Sequence, residues 1–134
     1  MPQIGNINTL DSDRSTPVVY TAFSPSSGDR TPAIWRAEAE SVFAGHRSTV
    51  SVMTRYNGPK TGRIFEAEFR FPYAVPDTQQ AGREVLIAQM PFRVTGTIPL
   101  NVPDAWLSKR VNWMTTFVDS QLFRDMLVAG SAAS

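Results

Sequence analysis

Residues 48–72, STVSVMTRYNGPKTGRIFEAEFRFP, carry the pattern that decides the fold class. Apolar and polar side chains alternate on both sides of the central NGPKTG, and a two-residue period is typical of a β-strand with two unlike faces. NGPKTG itself is rich in turn-forming residues, and its Asn-Gly pair favours positive φ angles. We therefore predict an antiparallel hairpin over residues 49–71, with one apolar face and one strongly charged face.

The segments on either side of this hairpin also have the character of strands. IGNINTL and PVVYTAF predict an N-terminal hairpin within residues 1–31, with a loose loop near residues 11–16. PAIWRAEAE, which follows, fits either a strand or a helical turn. Beyond the central hairpin we predict an exposed loop over residues 73–83 and a long strand over residues 85–99. Pro91 has no N–H to donate, so it should lie at a bulge or at an unpaired edge position of that strand.

The period changes to that of a helix after Pro99. Apolar side chains recur at steps of three and four residues and form an arc of about 160°, which comprises Trp106, Leu107, Val111, Trp113, Met114, Phe117 and Val118. Residues 102–130 are therefore predicted to form two helices. Asp119 or Ser120 can cap the second helix, and Gly130 ends it.

This order of elements, strands first and two helices last, predicts an α+β fold in a single domain over residues 1–134. The helices would cover one face of an antiparallel sheet. The apolar arc of the first helix is wider than the chain's own sheet requires. A second subunit would supply the missing surface, and two-fold dimers are the commonest such arrangement.

Composition excludes several classes of function. The formal net charge of +1 gives no general basic field for nucleic acid or membrane, so any such partner must meet a local patch. The chain has no cysteine, which excludes disulfides, thiol catalysis and zinc-cysteine sites and fits folding in a reducing cytoplasm. No run approaches 18 apolar residues and no signal-peptide pattern opens the chain, so we expect no membrane partner and no secretion.

Candidate catalytic groups are few. Glu66 and Glu68 lie two residues apart on one strand face, at roughly the 5–9 Å spacing of an acid–base pair in glycoside hydrolysis. Cross-strand pairing with Arg55 or Arg93 explains them more simply. His46 is the only histidine and is expected in a surface turn. Nucleophile-elbow, Walker and dinucleotide motifs are absent, and a hairpin turn accounts for NGPKTG, so no catalytic residue, metal, cofactor or small-molecule substrate is predicted.

The polar faces of the predicted strands form a more interesting set. Arginines can contact phosphate, and Ser and Thr hydroxyls can bond phosphate, sugar or base edges. If the three long segments lie in one sheet, one surface combines Thr49, Ser51, Arg55, Glu66, Glu68, Arg70, Arg93 and Thr95. On residue chemistry alone, this surface fits either RNA or an ordinary solvated sheet, because aromatic side chains for base stacking are few.

Read together, the segments resemble the coat proteins of the single-stranded RNA bacteriophages, the leviviruses. The resemblance rests on IGNI, PVVYTAFSPSSGDRTPAIWRAE, the hairpin of residues 48–72, RVTGTIP and DAWLSKRVNWMTTFVDSQLFRDMLVAG, and so covers nearly the whole chain. It implies helices that pack across the sheet of a second subunit, an intertwined dimer with a continuous ten-stranded sheet, and an icosahedral shell around the genome.

The resemblance also assigns roles to residues. The polar set above corresponds to the family's RNA-contacting positions, where members bind an operator hairpin and repress replicase translation. The dimer interface would include Trp106, Leu107, Val111, Trp113, Met114 and Phe117. Contacts between dimers would involve Tyr73, Val75, Pro76, Asp77, Thr78, Gln79 and Gln80. The chain departs from the family where some members place a base-stacking tyrosine, here Pro91, and has Glu66 and Glu68 where lysine or threonine would suit phosphate better.

We therefore expect a structural capsid protein that is not an enzyme and has no cofactor. Its partners would be itself and single-stranded RNA, and it would reside in the virion after assembly in the host bacterial cytoplasm. Two alternatives belong to other classes. One is a dimeric RNA-binding regulator that does not assemble, and the other is a small α+β enzyme or ligand-binding domain that uses Glu66 and Glu68.

Overall fold

The computed structural model describes residues 3–10, 17–41 and 43–133. Its contacts divide the chain into two compact units, Met1–Ile98 and Pro99–Ser134. The first unit contains the strands and the second the helices. The strands-then-helices order and the α+β class predicted from the sequence are confirmed.

The first unit is a six-stranded sheet whose spatial order follows the order along the chain. From β1 to β5, each strand pairs antiparallel with the next, as expected for strands joined by short connections. The strands are β1 (Ile7–Leu10), β2 (Pro17–Ser24), β3 (Ala33–Arg36), β4 (Thr49–Tyr56), β5 (Gly62–Pro76) and β6 (Glu84–Pro99). One turn of 3₁₀ helix, Ala44–His46, precedes β4.

The two predicted hairpins are present. β1 pairs with β2 from Ile7 opposite Tyr20 to Leu10 opposite Pro17, and the predicted loose loop between them lies outside the described residues. β4 pairs with β5 over all eight of its residues. PAIWRAEAE, which the sequence left between strand and helix, contains β3 at Ala33–Arg36 and continues into a turn, and the Trp35 indole Nε1 donates to the Gly5 carbonyl at 2.8 Å.

The predicted boundary of the loop at residues 73–83 is wrong at its N-terminal end. β5 continues through Pro76, so Tyr73, Val75 and Pro76 belong to the strand rather than to the loop. The loop is closed at this later point because the backbone N–H of Asp77 donates to the Arg83 carbonyl at 2.8 Å. Its first turn is stabilised by the Asp77 carboxylate, which accepts from the backbone N–H of Gln79 at 2.9 Å.

The second unit contains helices α1 (Asp104–Val118) and α2 (Gln121–Ala129). The Ser120 hydroxyl accepts from the Phe123 N–H at 3.2 Å, so of the two predicted capping residues it is Ser120 that caps α2. Gly130 ends α2 in the left-handed conformation, with φ of 72°, as predicted. Within the described ranges, no helix has the length and apolar character needed to cross a membrane.

Both units bury few apolar side chains. Among the described residues, the buried hydrophobic side chains are those of Ala37 and Ala67 alone, and α1 and α2 contain no buried residue. Large apolar side chains are instead exposed along β6 and along both helices. Large exposed apolar side chains along a strand or a helix are typical of a site of interaction.

Candidate nucleic-acid interface

The register of β4 and β5 places the predicted polar residues on one side of the sheet. Thr49 lies opposite Arg70, and Ser51 lies opposite Glu68. One step further, Met53 lies opposite Glu66. Directly opposite residues of an antiparallel pair point to the same face, so this side carries Thr49, Ser51, Arg55, Glu66, Glu68 and Arg70. We call it the polar face.

The other side of the same two strands is apolar. Val50 lies opposite Phe69, and Val52 lies opposite Ala67. The rings of Phe69 and Phe71 stack with their centroids 6.1 Å apart. Apolar packing on this side fixes the register, because a slip of one residue would exchange the two faces. The position of every side chain on the polar face follows from that register.

Both glutamates of the polar face have arginine partners. Arg55 Nη2 donates to Glu66 Oε1 at 3.0 Å, and Arg93 Nη2 lies 3.5 Å from Glu68 Oε1. The cross-strand pairing that the sequence offered as the simpler explanation is thus present. These pairs lie at the surface, where an ion pair contributes about 0–1 kcal/mol. Their main effect is to balance the charge of two arginines that would otherwise favour phosphate.

The remaining arginine of the predicted set, Arg70, donates from Nη2 to the Gly45 carbonyl at 3.3 Å. That bond joins β5 to the 3₁₀ turn before β4. It uses one of the five N–H groups of the guanidinium and leaves its positive charge uncompensated by this contact.

Arg36 is a member of the polar face that the sequence did not predict. It lies opposite Thr49, and so extends the face onto β3. Its Nε is 2.6 Å from Glu38 Oε1, and its guanidinium lies 4.4 Å from the ring centroid of Phe23. The signal was present in the alternation of Ala33 and Trp35 with Ile34 and Arg36, but the sequence did not decide between strand and helix and so did not show which face Arg36 would occupy.

β6 lies beside β5 at the edge of the sheet, and the strand passes through Pro91. The ion pair to Glu68 brings Arg93 to the polar face, and Thr95, two residues along, lies on the same side of the strand. The alternate positions of β6 form an exposed apolar stripe. Its large members are Leu86, Met90, Phe92 and Val94.

The predicted dimer-interface residues lie along α1, and their large side chains are solvent-accessible in the single chain. Phe117 is 63% exposed and Met114 is 55% exposed. The guanidinium of Arg110 lies 4.2 Å from the Trp113 ring centroid and 5.2 Å from that of Trp106. Its cation–π contacts explain how an arginine is accommodated inside an apolar arc.

A polar cluster around Glu84 was missed by the sequence analysis. Glu84 Oε2 lies 2.9 Å from His46 Nδ1 and accepts from the Ser41 hydroxyl at 2.9 Å. These two hydrogen bonds, that of His46 first, lower the pKa of Glu84. No signal in the sequence joins residues 38 positions apart. In the part of the chain that the structure describes, no group of three or more acidic, histidine or cysteine side chains could hold a metal.

Comparison with solved structures relates the fold to that of viral coat proteins. A virus-like particle of bacteriophage NT-214 matches with a TM-score of 0.79 at 18% identity, covering 99% of this chain and 100% of the other. A virus-like particle of Beihai levi-like virus 21 matches with a TM-score of 0.81 at 10% identity, covering 99% of each chain. The protein capsid of bacteriophage GA matches with a TM-score of 0.75 at 14% identity, covering 96% and 95%.

The chain has the levivirus coat-protein fold. The match extends over the strands and the helices together, so the resemblance inferred from sequence segments is confirmed at the level of fold. No protein-family model and no curated protein matches the chain. At identities of 10–18%, the coat-protein fold is recognised through its order of elements rather than through shared residues.

Proposed function

We propose that this chain is a capsid subunit, which forms two-fold dimers that assemble into an icosahedral shell around single-stranded RNA. The observation that carries the proposal is the coat-protein fold over the full length of the chain. The match to the NT-214 particle protein covers 99% of this chain and 100% of the other. A protein of another function that shared only the sheet with the coat proteins would leave the helices or the loops unmatched.

The exposed apolar surfaces support a dimer. β6 is the last strand of the sheet, with no further strand beside it among the described residues, and it carries an exposed apolar stripe on one face. An exposed edge of this length favours pairing with another strand. In the proposed dimer, β6 pairs with its copy across the two-fold axis. Strands β2 to β6 of each subunit would then provide the ten strands of a continuous sheet, and β1 would extend it at each outer edge.

The helices support the same arrangement. The apolar arc of α1 exposes two tryptophans, a methionine and a phenylalanine, and no residue of either helix is buried within the single chain. Burial of apolar surface stabilises by about 25 cal/mol per Å², so covering this arc strongly favours association. We propose that Trp106, Leu107, Val111, Trp113, Met114 and Phe117 pack on the sheet of the partner subunit.

The polar face is proposed to meet the RNA. Two arginines of this face are already paired with carboxylates, Arg55 with Glu66 and Arg93 with Glu68. Fewer positive charges therefore remain for phosphate. Each dimer would therefore bind RNA weakly, and the shell would retain its genome through many such contacts acting together. Residues 77–80, together with Tyr73, Val75 and Pro76 of β5, are proposed to form contacts between dimers. In this account the protein has no catalytic step, and it resides in the virion after assembly in the host cytoplasm.

The experiment that tests this function is nuclease protection. The chain is expressed alone, purified by sedimentation and treated with ribonuclease before and after heating to 80 °C, and the RNA that remains is measured. Enclosed RNA is expected to survive in the unheated sample and to be lost after heating. A regulator that does not assemble would leave its RNA open to ribonuclease in both samples, and that result would overturn the proposal.

A further inference from the structure

A cavity of about 380 Å³ lies where the loop between β2 and β3 meets the turn between β4 and β5. The loop contributes Asp29 and Arg30, and the end of β4 contributes Arg55 and Tyr56. The turn contributes Lys60 together with Asn57 and Gly58. The cavity lies within the first compact unit.

Hydrogen bonds from backbone N–H groups hold both walls of this cavity in place. The Arg30 N–H donates to the Thr54 carbonyl at 3.0 Å and fixes the loop against β4. In the turn, Asn57 Oδ1 accepts from the backbone N–H groups of Thr61 at 2.9 Å and Gly62 at 3.2 Å. A site with fixed walls binds its ligand without the cost of ordering them.

The backbone conformation of two lining residues is unusual. Arg30 has φ of 65° and Lys60 has φ of 57°, and in the described part of the chain no other residue except glycine has a positive φ. The Asn-Gly pair predicted to take positive φ does not, since Gly58 is not among the positive-φ glycines. A left-handed conformation costs a residue with a side chain roughly 1–2 kcal/mol. Such local strain concentrates at functional sites.

The charge at the cavity is not balanced. Asp29 Oδ1 lies 2.5 Å from Nη2 of Arg63, which is not a lining residue, and Arg55 pairs with Glu66. Arg30 and Lys60 form no ion pair with any carboxylate that the structure describes. The two strained residues are thus also the two uncompensated cations of the cavity. A hairpin turn alone requires neither property, because glycine or asparagine would adopt the same conformation at lower cost.

We propose that this cavity is a phosphate-binding site in which Arg30 and Lys60 hold the phosphate group. A guanidinium offers a fork of N–H donors that matches phosphate oxygens, and an ammonium adds a compact charge. The phosphate could be a free anion or a phosphodiester of single-stranded RNA, and the RNA source rests on the proposed function. Arg55 belongs both to this cavity and to the polar face, so an RNA strand on that face could extend into the cavity.

The test is a binding titration with the full-length double variant Arg30→Asn, Lys60→Asn. Asparagine tolerates the left-handed conformation and removes the charge. The probe is a fluorescein-labelled oligouridylate of eight nucleotides, followed by anisotropy at several salt concentrations. We expect affinity to fall at least fivefold, and the slope of log affinity against log salt to fall by about 0.7, since one phosphate contact on a single strand is lost.

Two controls make the result specific. Arg83→Asn, Lys109→Asn removes the same charge away from the cavity and is expected to change affinity less than twofold. Arg30→Lys, Lys60→Arg keeps the charge and is expected to retain binding within threefold. Equal affinity of the Asn and off-site double variants would overturn the proposal, as would equal loss in the Asn and charge-keeping variants.

Competition by inorganic phosphate separates the two sources. Displacement of the oligouridylate at millimolar phosphate would support a site for the free anion, and resistance to it would support a site for the RNA backbone. Failure of this inference and failure of the proposed function are also distinguishable. Shells formed by the Asn double variant would uphold the capsid function whatever its affinity, whereas a parent chain that binds phosphate here without forming shells would uphold the cavity alone.

Discussion

At the scale of single residues, Glu84 joins segments that are far apart in the sequence. It lies at the start of β6 and accepts hydrogen bonds from Ser41 and His46, both of which precede β4. Hydrogen bonds to a carboxylate favour its charged form, which is why the pKa of Glu84 lies below its ordinary value of 4.5. A depressed pKa in the folded state makes the stability of the protein depend on pH.

The substitution Glu84→Gln tests this dependence. The contribution of Glu84 is fully present above pH 4.5 and is lost as the pH falls through its lowered folded-state pKa. Glu84→Gln should therefore unfold at a lower temperature than the parent at pH 6, and the difference should close as the pH falls below 4.5. Ser41→Ala removes the lesser of the two hydrogen bonds to Glu84, together with the pH-independent bond from the Phe43 N–H, and should give a smaller pH-dependent change of the same sign. Parallel curves for Glu84→Gln and the parent at every pH would contradict the assignment.

Gly62 is a second position at which a single residue affects the packing of the sheet, here the close approach of β5 to β6. A Cβ atom added there would lie 2.9 Å from the Ile98 carbonyl oxygen of β6, closer than real Cβ contacts allow. Gly62→Ala is expected to destabilise the protein by about 1–3 kcal/mol, because backbone rather than a flexible side chain must move. Urea unfolding measures the loss. Gly96→Ala is the matched control, since Gly96 lies in β6 with nothing within 4 Å of an added Cβ, and it should leave stability nearly unchanged.

At the scale of elements, the β4–β5 hairpin could be predicted because both strands alternate over many residues and a turn separates them. The end of β5 could not. Pro72 and Pro76 and the turn-forming residues that follow resemble a loop in composition, and the strand is extended by a bond between Asp77 and Arg83 that no local pattern reveals. The bounds of the helices were predicted to within two residues. The helical period of the apolar side chains, the capping Ser120 and the terminating Gly130 are all local signals.

The residues of the candidate site also fall into those that could be predicted from the sequence and those that could not. Residues of β4 and β5 on the polar face could be placed from alternation alone. Arg36, the cluster around Glu84 and the cavity cations Arg30 and Lys60 could not, because each depends on contact between segments distant in sequence or on a φ angle set by loop closure. Sequence patterns report the faces of an element, whereas tertiary contacts decide which faces meet.

Helix α1 provides a test of the proposed dimer. Met114 lies near the middle of its apolar arc, and Asn112 lies on the opposite side at about 100° per residue. Met114→Asp should prevent association, since it would bury an unpaired carboxylate at the interface. Asn112→Asp adds the same charge on the polar side and should associate as the parent does. Sedimentation velocity measures both, and assembly of Met114→Asp at the parent's concentration would show that α1 is not an interface.

At the scale of the whole molecule, substitutions on the polar face distinguish a structural role of the protein from an enzymatic one. Replacing Glu66 and Glu68 together with glutamine should leave assembly unchanged, because both side chains lie at the surface and neither is part of the proposed dimer interface. The double variant should also bind single-stranded RNA more tightly, by roughly threefold to tenfold, since it frees Arg55 and Arg93 for phosphate. Filter binding to oligouridylate measures this, and weaker RNA binding would contradict the charge balance described above.

The central claim is that this chain builds a shell, and electron microscopy of the purified chain tests it most directly. The chain is expressed alone and separated by size exclusion, and the leading peak is imaged in negative stain with its absorbance at 260 and 280 nm recorded. The account predicts uniform spherical particles in the void volume with the absorbance ratio of a nucleoprotein. A discrete dimer peak that contains neither particles nor nucleic acid, across several salt concentrations and pH values, would contradict it.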